Sequence, residues 1–379
     1  MAVRALARVN LAAIERNVAR LRGGLADGVE LCAVVKGGGY GHGALPAARA
    51  ALAGGASMLA VATAGEAAEL RGGGIESRVL MMGAVSDEEL PVALGARCEL
   101  VAWTGEFVER LARSCGESTA PGGPVRVHVK LDTGMGRLGT RYPDEALRVA
   151  ERIADEAPAL ELAGAMTHFV SADEDPAFTS AQLGRFEPFV AAMRERWPGI
   201  VVHAANSAAT LREPASHFDL VRCGIAIYGC DPMNDDPAAH GLEPALELTS
   251  YVAAVKLARA GESAGYGRRW VARSDTWLAT VPIGYADGIR RALTNNLDVL
   301  IGGRRYPLVG TVSMDNITVE VGAPDAVRCG DRVTIIGPDG DERQTAEEVA
   351  RRVGTINYEI VCGLTPRVPR VYHRDGTPA

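Results

Sequence analysis

Leu31-Cys32-Ala33-Val34-Val35-Lys36-Gly37-Gly38-Gly39-Tyr40-Gly41-His42-Gly43 is the stretch that decides the fold. Its five leading apolar residues, bounded by glycine-rich segments, read as a short strand buried on both faces, the kind that belongs to parallel sheets. Upstream, Asn10 can cap a helix whose apolar residues Leu11, Ile14, Val18 and Leu21 recur at helical spacing. Downstream, similar runs return at 58–61, 79–82, 99–101, 125–131, 160–167, 200–204 and 220–222, with helical segments at 64–71, 106–114, 144–156 and 178–196 between most of them. Eight strands alternating with helices over about 220 residues have the size and rhythm of a (β/α)8 TIM-type barrel, with a doubly wound open sheet as the runner-up.

Beyond residue 240 the texture changes. Residues 231–244 are rich in Pro, Asp and Asn and read as a linker. Short β-type runs follow at 251–257, 277–283, 299–301, 317–321 and 333–336, with one helix at 346–353 opened by a capping box of Thr345 and Glu348. The expected organisation is a barrel over 1–240 and a mainly β C-terminal domain over 241–379. A chain of 379 residues also exceeds what one core usually holds, roughly 250–300 residues.

A net charge of −7 without a basic stripe argues against nucleic acid as a partner. No stretch of about 18 apolar residues argues for a membrane span. The seven cysteines, at 32, 98, 115, 223, 230, 329 and 362, are irregularly spaced and form no C-x-x-C. That pattern speaks against a disulfide framework or a zinc site and for a cytoplasmic protein.

A barrel assembles its active site at the C-terminal ends of its strands. Lys36 follows the first expected strand there, Lys130 and Arg137 the fifth, His168 the sixth, Asn206 and Ser207 the seventh, and Arg222, Gly224 and Ile225 the eighth. A lysine at an apolar strand end has its ammonium form disfavoured by desolvation, and a neutral amine is what Schiff-base chemistry requires. A lysine in this position can equally snorkel to water. Tyr40, Ser207 and Tyr358 can offer hydroxyls to a phosphate, and Gly224 and Ile225 backbone N–H groups, although tyrosines and glycine turns have structural uses everywhere. His42, His128, His203, His217, His240 and His373 fit no metal-ligand spacing and are expected to carry no central chemistry.

With these residues in hand, the chain resembles the alanine racemases, pyridoxal-phosphate enzymes of fold-type III. Residues 33–43 resemble that family's cofactor-lysine motif. Residues 131–139, Thr167-His168-Phe169, His203-Ala204-Ala205-Asn206-Ser207 and Val221-Arg222-Cys223-Gly224-Ile225 are similar to its later barrel motifs. Gly265-Tyr266-Gly267, residues 282–288, Met314-Asp315 and Asn357-Tyr358-Glu359 follow in the family's order.

The resemblance implies pyridoxal 5'-phosphate as cofactor, a small amino-acid substrate, and a homodimer with shared active sites. Lys36 would hold the cofactor covalently and act as base on one face of the substrate. Tyr266 of the partner subunit would act on the other face. Arg222 would contact the pyridine nitrogen, and His168 would lie against the ring and link Arg222 to that tyrosine. Tyr40, Asn206, Ser207, Gly224, Ile225 and Tyr358 would bind the cofactor, mostly at its phosphate. Arg137 and the backbone at Met314 would meet the substrate carboxylate, and Tyr285 would line the way in. Lys130 resembles a position that is carbamylated in some members. The implied reaction is interconversion of L- and D-alanine for cell-wall peptidoglycan.

Three positions depart from the family pattern. Gly37-Gly38-Gly39 replaces a stretch that usually carries alanines and one polar side chain, which implies a freer loop and an altered pocket. Ser313 stands where many members have Cys, and Trp270 where tyrosine is frequent. The alternatives are a racemase of another small amino acid such as serine or of a specialised-metabolite pathway, a fold-type III decarboxylase, and a non-catalytic cofactor carrier.

Overall fold

A computed structural model describes residues 4–115 and 123–379. The chain forms two compact units. One comprises Glu15–Gly39 and Ala44–Ile227; the other draws together residues 4–14, Tyr40–Gly43 and Tyr228–Ala379. Residues 231–244, expected as a linker, carry a 3-10 turn at Pro237–His240.

In the first unit eight parallel strands run in chain order: Glu30–Val34, Met58–Val61, Arg78–Met81, Glu99–Ala102, Val125–Lys130, Leu160–Met166, Val201–His203 and Leu220–Cys223. Each pairs with its predecessor as far as the seventh, and the eighth pairs with the first. The remaining gap is bridged by backbone bonds from Asp219 N to Val202 O and from Arg222 N to Ala205 O, both 3.0 Å. The ring is thus a (β/α)8 barrel, as expected. Its strands are apolar because helices cover one face and the barrel core the other.

Local chemistry explains the helix starts. Thr63 and Glu66 form a capping box on Ala64–Gly72, and Asp175 caps Pro176–Arg196 with a proline in its first turn. Helices Ala44–Ala53, Leu90–Gly95 and Ser207–Arg212 add to those read from the sequence.

The second unit is mainly β, also as expected. Its larger sheet runs Arg304–Pro307, Asp298–Ile301, Arg332–Asp339, Leu246–Tyr251, Leu6–Asn10, Arg370–Arg374 and Thr377–Pro378, with Glu342–Gln344 paired on Arg332–Asp339. A second sheet joins Ala254–Ala258, Thr276–Val281 and Ile317–Glu320. The apolar run at 251–257 is not one strand. Tyr251 pairs with Arg332 in the larger sheet and Ala254 with Thr280 in the smaller, so the chain changes sheets at Val252-Ala253. Thr345 caps helix Ala346–Arg352 in the expected box with Glu348. Asn10 accepts from Ala12 N at the start of helix Leu11–Gly23. Among the described residues no helix is long and apolar enough to cross a membrane, and all seven cysteines are free.

Candidate active site

The C-terminal ends of the barrel strands carry the ionisable groups that the sequence placed there. Lys36, Arg137 and Arg222 are close enough to Lys130 that each disfavours its charged form. Burial does most of this, and together these effects bring the Lys130 ammonium down to about 8, with Asp132 opposing them. The chain has only three lysines, Lys36, Lys130 and Lys256, and two of them stand at this end of the barrel.

Lys36 opens a turn found nowhere else among the described residues. Gly37, Gly38 and Gly39 have φ of 61°, 61° and 64°, and Tyr40 continues at 52°. Four successive residues therefore wind left-handed. Such a turn costs an L-residue roughly 1–2 kcal/mol per position but costs glycine little, so three glycines suit it. The turn is tied down by Gly37 N to Glu66 Oε1 at 2.6 Å and Gly39 N to Val35 O at 2.9 Å. The glycine run thus builds a defined turn rather than a loose loop.

Arg222 is 2% exposed at the end of the eighth strand. Its Nη1 donates to His203 Nδ1 (2.8 Å), and its Nη2 to Thr167 O (2.9 Å), Ala204 O (2.9 Å) and His168 Nδ1 (3.1 Å). Burial lowers it to about 10, still far above neutrality, so it stays a cation. Its Nε is buried without a hydrogen-bond partner. A buried N–H of a cation left unpaired costs free energy, so this donor is one that a ligand's acceptor could satisfy. His168 is held well below the usual histidine range by burial and then by Arg222, Lys130, Lys36 and Arg137. It is therefore neutral. Because its Nδ1 accepts from Arg222, its proton sits on Nε2.

Ser207 begins the short helix Ser207–Arg212, and its Oγ accepts from Gly224 N (2.9 Å) and Ala226 N (3.4 Å). The serine hydroxyl and the Gly224-Ile225 turn thus lie together, and the hydroxyl, accepting from Gly224 N and Ala226 N, keeps its own proton to donate. Asn206 has a plainer duty in this structure: its Oδ1 accepts from Ala209 N (3.0 Å) and caps that helix. The loop after the fifth strand is shaped by Asp132, which accepts from Gly134 N and Gly136 N and leaves Arg137 exposed.

In the β-rich unit Tyr40 stacks on Tyr228 (5.1 Å between ring centroids) and lies 6.1 Å from Tyr358. The glycines around His42 are steric necessities. A Cβ on Gly41 would lie 2.1 Å from Val361 O, and one on Gly43 2.1 Å from Tyr372 Oη. Tyr266 is 74% exposed, Met314 50% and Tyr285 42%. Thr311 Oγ1 donates to Tyr266 O (2.6 Å), and Ser313 O and Met314 O accept from Tyr285 N and Ala286 N. These three side chains therefore stand on loops whose backbones are pinned. Among the described residues no group of three or more His, Cys, Asp or Glu is placed to hold a metal ion.

Two of the histidines expected to carry no central chemistry touch this site or its supports. His203 bonds to Arg222, and His128 bonds to His203. In Val125-Arg126-Val127-His128-Val129-Lys130 the polar residues alternate, which is also the pattern of an ordinary strand with one wet face, so the sequence did not mark His128.

Comparison with known proteins agrees with this geometry. Residues 9–232 match the model for the alanine racemase N-terminal domain, and residues 245–372 that for the alanine racemase C-terminal domain. The alanine racemase of Geobacillus kaustophilus is 40% identical over 97% of this chain and 94% of its own length. That of Frankia casuarinae is 41% identical over 98% and 96%. The crystal structure of alanine racemase from E. faecalis superposes with a TM-score of 0.91 at 37% identity, covering 98% of both chains. That from Streptomyces coelicolor A3(2) gives 0.91 at 38% identity, covering 97% and 98%. Fold, strand-end chemistry and likeness along nearly the whole chain converge, and this chain belongs to the alanine racemase family of amino-acid isomerases.

Proposed function

We propose that this chain racemises alanine with bound pyridoxal 5'-phosphate by a two-base mechanism, Lys36 working on one face of the substrate and Tyr266 of the partner subunit on the other. The observation that carries the reading is the buried, partnerless Nε of Arg222, a fixed cationic donor suited to an unprotonated ring nitrogen. When bound, the cofactor supplies the π-system that takes up the electron pair left at Cα. Arg222 keeps its own proton, so it orients the ring without protonating it. Ser207, Gly224 and Ile225, with the hydroxyls of Tyr40 and Tyr358, are assigned the phosphate, and Asn206 serves the cofactor by capping the helix that carries Ser207.

Lys36 takes or returns the α-proton at its Nζ, and the phenol oxygen of Tyr266 does so from the opposite side. His168, neutral with its proton on Nε2, is the group through which Arg222 would favour the phenolate. Arg137 and the Met314 backbone are assigned the substrate carboxylate, and Tyr285 the way in. A neutral Lys130 can take up CO2, and the resulting anion would orient Arg137. The exposure of Tyr266, Met314 and Tyr285 supports a homodimer in which the 241–379 region completes the partner's site. The free cysteines support a cytoplasmic location, and D-alanine for cell-wall peptidoglycan is the expected use.

The test is conversion of L-alanine to D-alanine by the loaded protein in D2O, with deuterium appearing at Cα. Absence of turnover contradicts the reading. A second small substrate such as L-serine is favoured by one observation: a Cβ on Gly37 or Gly38 would meet nothing within 4 Å. L-serine turnover faster than that of L-alanine would replace the first reading with this one.

A further inference from the structure

We propose that Glu99, His128 and His203 are positioning residues for Arg222, forming a one-way line of hydrogen bonds through the barrel interior that fixes the guanidinium from behind. The inference deepens the reading above and rests on Arg222 meeting the cofactor ring.

The line is short and complete. Arg222 Nη1 lies 2.8 Å from His203 Nδ1, His203 Nε2 lies 2.9 Å from His128 Nδ1, and His128 Nε2 lies 2.9 Å from Glu99 Oε2. Exposure is 2% for Arg222, 0% for both histidines and 4% for Glu99. His128 is on the fifth barrel strand and His203 on the seventh. These strands are not neighbours, so their bond crosses the interior over the sixth. The sixth strand yields at that point. Its register shifts opposite Val127 and His128, and its Gly164 lies where a Cβ would sit 2.4 Å from His128 Nδ1. Barrel interiors are usually filled by branched apolar side chains. Here a bulge and a glycine make room for two imidazoles.

The direction of the line follows from donor chemistry. Arginine only donates, so His203 Nδ1 accepts. A neutral His203 then carries its proton on Nε2 and donates it to His128 Nδ1, and His128 donates from its own Nε2 to Glu99. Both histidines are pushed down chiefly by burial, with the Glu99 hydrogen bond opposing this at His128, which agrees with neutral rings. Burial raises Glu99, but hydrogen bonds from His128 and Arg78 outweigh it and bring the carboxyl to about 2, so that end is an anion. Arg78 clamps it with Nε at 2.5 Å and Nη2 at 3.0 Å, and Arg126 Nε lies 3.4 Å away. A cation at the mouth and an anion near the strand starts polarise the two rings between them in the same sense. Rotation of Arg222 would break the first bond and leave a buried acceptor empty, so the line fixes the aim of its Nε.

The test uses the full-length holoprotein and the variants Glu99→Gln, His203→Gln and Gly164→Ala. Nitrogen-15 shifts of labelled histidines should show His128 and His203 neutral with protons on Nε2, and Glu99→Gln should move both signals although only His128 touches it. kcat should fall about tenfold in Glu99→Gln and more in His203→Gln, with KM nearly unchanged and the absorption band of bound cofactor shifted. Gly164→Ala, whose Cβ would press on both His128 Nδ1 and Val201 O at 2.4 Å, should displace the His128 signal and lower kcat; His203→Gln tests the line if Glu99→Gln does not fold. Protons on Nδ1 overturn the line, as do folded variants with wild-type kcat and spectrum. A wild-type protein that neither binds the cofactor nor racemises alanine instead overturns the proposed function, while the nitrogen shifts still decide the line.

Discussion

The barrel unit and the β-rich unit treat their chemically suggestive residues in opposite ways. At the barrel mouth Arg222, Lys130 and His203 are 2%, 5% and 0% exposed, and the arginine and histidine are held by bonds formed within that unit. On the β-rich unit Tyr266, Met314 and Tyr285 are 42–74% exposed, on pinned loops with outward-facing side chains. A buried set held by hydrogen bonds at all but one donor, Arg222 Nε, is rigid. Exposed aromatic and apolar side chains on ordered backbone mark a surface made to be covered. The contrast teaches that the barrel residues are positioned within their own unit, whereas the exposed side chains of Tyr266, Met314 and Tyr285 are what the proposed homodimer would have to cover.

The largest expected effect is at the buried half. Lys36→Ala removes both the covalent anchor and one base, and racemisation should drop more than about 10³-fold. Borohydride reduction should then fail to fix the cofactor to the chain. Retained activity or covalent labelling of the variant would break the assignment.

On the exposed half, Tyr266→Phe should lower kcat by about 10²–10³-fold while leaving the melting temperature nearly unchanged, because it removes only the hydroxyl and keeps the ring. A drop in stability without a drop in kcat would mean that the tyrosine belongs to the fold rather than the chemistry.

Lys130 sharpens the comparison through pH. Only the neutral amine reacts with CO2, so uptake should rise with pH, reach half its maximum near pH 8 and level off above it. An exposed lysine would keep climbing toward about 10.4. Carbon-13 bicarbonate labelling should give a carbamate signal that Lys130→Ala abolishes. The same depression makes apo-protein stability rise between about pH 8 and the unfolded-state value, because there the unfolded chain binds the extra proton. A flat profile across that window contradicts the buried setting.

The smallest effect is at the left-handed turn. Gly38→Ala meets no neighbour within 4 Å but keeps φ near 61°, so it should cost about 1 kcal/mol in urea unfolding. No loss, or a gain, would mean that the turn is not held left-handed.

The barrel was legible because each strand is buried on both faces and so appears as a continuous apolar run that needs no distant partner to be recognised. Met58–Val61 was read to the residue, and the other seven to within a residue or two. In the β-rich unit the information is non-local. Leu6–Asn10 pairs with Leu246–Tyr251 and Arg370–Arg374, and nothing in its five residues announces partners that far along the chain. The places of Lys36, Arg222 and Ser207 at the barrel mouth were legible because each lies at or just past the end of an apolar strand. His128 and Glu99 were not, because inward polar residues in Val125–Lys130 give the same period-two pattern as an ordinary strand with one wet face. Only the 2.9 Å bonds across the interior tell the two apart.

The central claim, that a half-buried lysine and an exposed tyrosine from two chains make one site, is tested most directly by mixing inactive Lys36→Ala and Tyr266→Ala proteins under conditions of subunit exchange. Half of the resulting dimers would be mixed and each would hold one intact site, so activity should return to roughly a quarter of wild type. A mixture that exchanges subunits and stays inactive would contradict the account.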